Sequence, residues 1–313
     1  MINKVHLGDW TTNQLEDKSV QLIIADPPYF EVKGEFDFVW DSFDDYLKDV
    51  EKWAIECKRV LADNGTLFWY GDAKKIAYTQ IIFDKYFNLL NNIVWENTNQ
   101  SKQSMVNVSG YRSFPPLTER ILMYSNDKYN LSKCVYHIRD YIREEIIKSK
   151  GKIILKQVNK ALGTATNGGG VASACLSLDK TEPTMITKEM YIKLQKWCEP
   201  YLRKEYEELR KEYEELRRPF NNHLHLGDVI RLPNYETNKF KHDTIKPEKL
   251  TRILLQTCSR KGDLVLGPFA GSGTECAMAA KEGREFIGFD IEPKYVEMAN
   301  ARCSEHLKQT SLF

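Results

Sequence analysis

The chain has 313 residues, 42% of them hydrophobic, a size and composition that suit one large α/β domain carrying a smaller insertion. A net charge of +1 excludes a polycation, so contact with nucleic acid would have to come from locally clustered basic groups. The seven cysteines form no C-x-x-C pair and read as reduced, buried thiols, and no apolar run reaches the ~18 residues of a membrane span.

In chain order, the start (MINKVHLGDW) lacks the charged-then-apolar pattern of a secretory signal, which predicts an intracellular protein. Gln21–Ala25 is a short apolar run that stops abruptly at Asp26-Pro27-Pro28, as a buried parallel strand feeding a loop would. Tyr46–Leu61 carries apolar residues at helical spacing, Asn64-Gly65 breaks it, and Thr66–Tyr70 reads as the next strand. Ala73–Phe83 follows as helix, with Asn92–Trp95 and Arg120–Tyr124 as strands and an aperiodic stretch between those two. This alternation predicts a mainly parallel sheet with helices on both faces.

The rhythm breaks over 128–236, which reads as an insertion between two halves, 1–127 and 237–313. Between Arg139 and Lys160 it is basic, and Lys148, Lys150 and Lys152 are the DNA-contact candidates there. Helices are predicted at Ile153–Leu162 and Val171–Leu178, on either side of Gly168-Gly169-Gly170. That pairing suits either a helix-turn-helix-like reader or an ordinary insertion. Lys188–Arg218 reads as one long charged helix. Its repeated KEYEELR places Tyr206, Leu209, Tyr213 and Leu216 in a stripe that suits either packing on its own domain or a homodimer contact. Beyond it, His223 and His225 lie far from any cysteine, and no metal site is expected. The α/β rhythm resumes with helix Pro247–Cys258, strand Leu264–Leu266, a helix from Thr274, strand Glu285–Phe289 and helix Pro293–His306.

Two segments carry chemistry. Gly267-Pro-Phe-Ala-Gly-Ser-Gly-Thr274 lies between a strand and a helix, where glycines allow close backbone approach and the helix start offers free N–H groups. The next strand ends in Asp290, an acid placed to accept hydrogen bonds from ribose hydroxyls. No Gly-Lys-Ser/Thr follows, so the ligand should be a nucleoside without a polyphosphate. The other segment is Asp26-Pro27-Pro28-Tyr29. Its prolines remove N–H donors, leaving a carboxylate, a carbonyl and an aromatic ring: a set that accepts an amino group's hydrogens and stacks on a planar base.

D-P-P-Y followed much later by P-F-A-G-S-G-T resembles the β subgroup of amino DNA methyltransferases. Supporting matches are His6-Leu7-Gly8-Asp9, Thr118-Glu119-Arg120, the Lys246-Pro247 entry to a helix, and Phe286–Asp290 with Tyr295 and Arg302. A second HLGD at His225–Asp228 reads as a strand and turn re-entering the sheet. The resemblance implies a Rossmann-like S-adenosylmethionine-dependent sheet with circularly permuted motif order and a mostly helical target-recognition insertion. It implies catalysis by Asp26, Pro27, Pro28 and Tyr29. Cofactor binding would fall to Asp9, Lys246, Phe269, Gly271, Ser272, Gly273, Thr274 and Asp290, with Lys33 as a further DNA contact. The implied activity is methyl transfer to N6 of adenine in base-flipped duplex DNA, in the cytoplasm of a bacterium or phage host and with no metal. N4 of cytosine is the alternative target, and a cognate restriction endonuclease is an open partner. Related RNA and protein-glutamine methyltransferases place their N/D-P-P-Y after the glycine loop, the reverse of the order here. Gly267 departs from the family, which usually has Asp there. That departure implies a weakened cofactor contact, or a DNA-binding scaffold of reduced activity, and predicts that Gly267→Asp would tighten cofactor binding.

Overall fold

The computed structural model describes residues 2–310 apart from 33–36, 38, 100–111, 113, 115, 127–129, 167–169, 180–183 and 236–244. Two compact units emerge, one of residues 1–128 with 219–313, the other of Tyr129–Arg218.

The first unit is an eight-stranded sheet: β1 (Lys4–Leu7), β2 (Val20–Ala25), β3 (Leu61–Asp72), β4 (Asn88–Asn97), β5 (Thr118–Ser125), β6 (Val229–Leu232), β7 (Leu264–Gly267) and β8 (Glu285–Asp290). The spatial order is β1-β8-β7-β2-β3-β5-β4-β6. Only β5 pairs antiparallel to its neighbours β3 and β4. Strands late in the chain therefore lie beside the earliest ones. The direction of winding reverses between β7 and β2, a crevice where open α/β sheets bind their ligands.

Period-two alternation sends the side chains of β2 to both faces. Leu22 and Ile24 join the core under α8 (Glu248–Cys258), α9 (Thr274–Lys281) and α10 (Pro293–Thr310). Ile23 and Ala25 join the aromatic-rich core under α1 (Phe43–Val60) and α2 (Ile76–Phe83). Burial on both faces explains why β2 reads as an unbroken apolar run. Strand β3 starts earlier than its local sequence suggests and runs through Asn64-Gly65, with a register shift opposite Val20 and Leu22. All seven cysteines are free and buried, as expected. No helix of the described residues is long and apolar enough to cross a membrane.

The second unit consists of α3 (Asn130–Lys150), α4 (Leu155–Leu162), α5 (Gly170–Leu176), α6 (Lys188–Cys198) and α7 (Tyr206–Leu216) around their own core. Two expectations are corrected here. The unit ends at Arg218 rather than near 236, because Val229–Leu232 pairs with β4 as an edge strand of the main sheet. That strand follows the second HLGD directly. The expected long helix 188–218 is two helices, since Pro200 lacks an N–H and disfavours helical backbone at Glu199. Leu209 of the repeat is fully buried in the unit's own core, with Tyr206 and Tyr213 packed against it, while Leu216 is exposed. The stripe thus serves its own unit.

Candidate active site

The carboxyl ends of β1, β8, β7, β2 and β3 share one edge of the sheet. At the end of β2 the chain turns through Asp26-Pro27-Pro28-Tyr29. Neither proline can donate, and the Tyr29 N–H is taken by Asp37 Oδ1 at 2.5 Å. The Tyr29 N–H is thereby engaged within the protein. Tyr29 Oη donates to Asp26 Oδ1 at 2.8 Å and lies 3.3 Å from Glu119 Oε2.

Lys246 is the structure's main addition to this loop. Although expected beside the cofactor, its ammonium lies 2.8 Å from Asp26 Oδ1 and 3.0 Å from Glu119 Oε2, with the lysine side chain only 4% exposed. Burial opposes its charge, but Asp26 and Glu119 outweigh burial and hold its pKa above the ordinary lysine value. Burial, then Asp26 and Glu119, raise the Tyr29 hydroxyl far above its usual range, so it stays a neutral donor. Lys246 also stands over the rings of Tyr29 and Tyr70 at 5.5 and 5.1 Å. Fully buried Tyr70 has a hydroxyl without a partner among the described residues.

The other side of the crevice is the glycine turn between β7 and α9. Gly271 (φ +47°) and Gly273 (φ +77°) adopt left-handed backbone, and a Cβ on Gly273 would lie 2.6 Å from that of Ala299. Gly271 N donates to Asp290 Oδ2 at 2.8 Å and Glu292 N to Oδ1 at 2.9 Å. Asp290 is aligned with Leu7 across the β1–β8 pair, so Asp9 follows on the neighbouring strand at the same edge. Asp9 Oδ1 caps a short turn through the Thr11 N–H at 2.9 Å and hydroxyl at 2.8 Å. A side chain at Gly8, between these acids, would enter open space.

Ser272 and Thr274 are buried and turned toward Arg302, whose guanidinium reaches Thr274 Oγ1 at 2.9 Å and the Ser272 carbonyl at 3.3 Å while pairing with Glu248 at 2.7 Å. Their side chains brace the loop. Phe269 packs edge-on against Trp10, Trp53 and Trp69, at ring separations of 6.0, 5.0 and 5.9 Å.

This edge suits S-adenosylmethionine. Two carboxylates, each with four acceptor sites, stand beside a glycine turn with backbone room and no basic cradle for phosphates. Asp290 is the candidate for the ribose hydroxyls and Asp9 for a further polar group of the nucleoside. Among the described residues, no group of His, Cys, Asp and Glu is placed to hold a metal ion.

Two acids at this edge carry no site role in the sequence reading: Glu119, quoted there only within the Thr118-Glu119-Arg120 match, and Glu275. Glu119 heads β5, opposite Asp72 of β3. Glu275 follows Thr274 and is 4% exposed within the apolar start of α9. The available signal was an acid among residues that otherwise face a core. Of the DNA-contact candidates, Lys33 lies outside the described residues. Lys148 pairs with Glu145 at 2.6 Å, Lys150 stands over Trp197 at 5.1 Å, and Lys152 is exposed in the turn after α3.

An acid-tipped nucleoside cradle and an amine-accepting loop, facing each other across the switch point of a parallel sheet, define an S-adenosylmethionine-dependent methyltransferase. The solved structure of TTHA0409 from Thermus thermophilus complexed with S-adenosyl-L-methionine has this fold, with a TM-score of 0.53, 19% identity and coverage of 97% of this chain and 95% of that one. A DNA methylase family profile matches residues 20–301. The chain belongs to that family. It is 26% identical over 293 residues to the Escherichia coli K12 DNA adenine methyltransferase YhdJ, covering 91% of this chain and 76% of YhdJ. It is 25% identical over 307 residues to the Type II methyltransferase M.HinfI of Haemophilus influenzae, covering 93% of this chain but only 65% of M.HinfI.

Proposed function

We propose that the protein methylates N6 of adenine in duplex DNA, with the target base flipped into the crevice between β2 and β7. The observation that carries this reading is the state of Asp26. Tyr29 and Lys246 both engage its Oδ1. Oδ2 and the Pro27 carbonyl are then the acceptors for the two hydrogens of an exocyclic amine. The likeness to YhdJ supports adenine as the base.

Bound S-adenosylmethionine supplies an electrophilic methyl group on a sulfonium. The amine's lone pair is delocalised into its ring and nucleophilic only when localised. Asp26 and the Pro27 carbonyl localise it by accepting its hydrogens, and Asp26 takes the proton released. Lys246 and Tyr29 together fix the carboxylate through its Oδ1, so the rate gain comes from alignment and electrostatics with no covalent intermediate. The Tyr29 ring offers a face to the flipped base and offsets part of the few kcal/mol that flipping costs. The helical unit 129–218 is proposed to read the target sequence, and the cytoplasm is the proposed compartment.

Sequencing DNA from cells that express the protein, with detection of modified bases, tests the proposal. N6-methyladenine at one recurrent site is the expected result. Its absence, or N4-methylcytosine instead, refutes the reading.

A further inference from the structure

Glu275 is a buried carboxylate to which the mechanism above gives no part. It stands on the first turn of α9, and its Cβ would lie 3.7 Å from a Cβ added to Gly267. A side chain at the end of β7 would therefore lie in contact with Glu275. The charged and titratable groups close enough to act on Glu275 electrostatically are Asp26 from the end of β2, Lys246 ahead of α8, Tyr70 of β3, Cys276 of its own helix, and Arg302 and Cys303 of α10. Lys246 is already shared by Asp26 and Glu119, and Arg302 pairs with Glu248. Lys246 thus pairs with Asp26 and Glu119, while the buried Glu275 forms no ion pair among the described residues. Burial, then the charge of Asp26, lifts the Glu275 pKa to about 7, against the pull of its own backbone N–H, Lys246 and Arg302. Such a site is short of a cation, and the fully buried Tyr70 hydroxyl beside it lacks a partner among the described residues.

We propose that Glu275 is the counter-ion for the cationic methionine end of S-adenosylmethionine, its sulfonium and α-ammonium, and that Gly267 makes room for it. The inference rests on the site reading above and extends it to a residue outside the recognised motifs. Binding the cation favours the ionised carboxylate, so Glu275 gives up its proton to solvent as the cofactor enters. The expectation that Gly267→Asp tightens binding is thereby reversed. The new side chain would sit 3.3 Å from Cys276 Sγ and set a second carboxylate against Glu275.

Calorimetry on the full chain tests this with two ligands, S-adenosylmethionine and the neutral nucleoside 5′-methylthioadenosine. Glu275→Gln should weaken the first about ten- to a hundredfold and leave the second unchanged. Wild-type affinity for S-adenosylmethionine should rise about tenfold more between pH 6 and 8 than that of Glu275→Gln, with a buffer-dependent heat that reports proton release. Gly267→Asp alone should bind more weakly, and the double swap Gly267→Asp with Glu275→Thr should recover affinity. Equal affinity and equal pH dependence in wild type and Glu275→Gln overturn the proposal. If Glu275→Gln does not fold, the double swap decides: binding methylthioadenosine normally while losing S-adenosylmethionine contradicts the proposal. A wild type that binds neither ligand overturns the site reading itself, and the proposal with it.

Discussion

Replacing Lys246 with Met keeps the bulk of the side chain and removes the charge that two carboxylates share. Deleting one partner of a fully buried ion pair costs about 3–5 kcal/mol, because the remaining charge is left uncompensated. Here the partner side chains are 17% exposed at Asp26 and 34% at Glu119, so solvent relieves part of that cost. A loss of about 2–3 kcal/mol is expected, a large fraction of the ~5–15 kcal/mol by which domains are stable. Denaturant unfolding followed by tryptophan fluorescence measures it, since five of the six tryptophans lie in the sheet unit. The pH dependence gives a second check. In wild type the lysine pKa is raised, so its contribution is complete below the unfolded value near ~10.4 and constant around neutrality. The deficit of Lys246→Met should therefore be the same at pH 7 and pH 8. An unchanged midpoint at pH 7 would refute this reasoning.

Three further outcomes follow from the same geometry. Gly273→Ala combines a left-handed backbone with a Cβ 2.6 Å from Ala299 and should cost about 1–3 kcal/mol in thermal unfolding while weakening cofactor binding; a stability equal to wild type would show that the turn relaxes freely. Asp290→Ala removes the proposed ribose acceptor and the tie to Gly271, so calorimetric affinity for S-adenosylmethionine should fall by about one to two decades, and undiminished affinity would remove Asp290 from the site. Changing Lys148, Lys150 and Lys152 together to Gln should lower the slope of log K against log salt for DNA by about 1–2 rather than the full ~2.7 for three free contacts, because Lys148 and Lys150 already have partners; an unaltered slope would place the DNA path elsewhere.

The two halves of the sheet were legible because buried parallel strands leave unbroken apolar runs and because the D-P-P-Y and glycine-loop motifs sit where a strand gives way to a loop. Where tertiary pairing overrides local signals, legibility failed. Asn64-Gly65 reads as a break yet lies inside β3, at the register irregularity between the pairs Leu61–Val20 and Thr66–Leu22. The charged heptads at 204–217 suggest one continuous helix, but Pro200 ahead of them divides the segment into two. The strand expected at the second HLGD forms a few residues later, at Val229–Leu232, where β4 supplies its partner. Asp290 could be proposed as a cofactor acid from its strand end and Asp9 from the family resemblance, whereas the positions of Glu119 and Lys246 against Asp26 and Tyr29 depend on segments 90 or more residues away that converge only in the folded chain.

The central claim is that the Asp26 carboxylate acts on the base amine and not on the cofactor. Methyl transfer to a DNA duplex in a single turnover, read by mass spectrometry of the released nucleosides, tests it directly when wild type and Asp26→Asn are compared beside their calorimetric affinities for S-adenosylmethionine. Asn lacks the charge and cannot take the proton, so N6-methyladenine should form in wild type and fall by at least about a hundredfold in the variant, with cofactor affinity nearly unchanged. Transfer at the wild-type rate by Asp26→Asn, or equal loss of cofactor binding and transfer, would contradict the account.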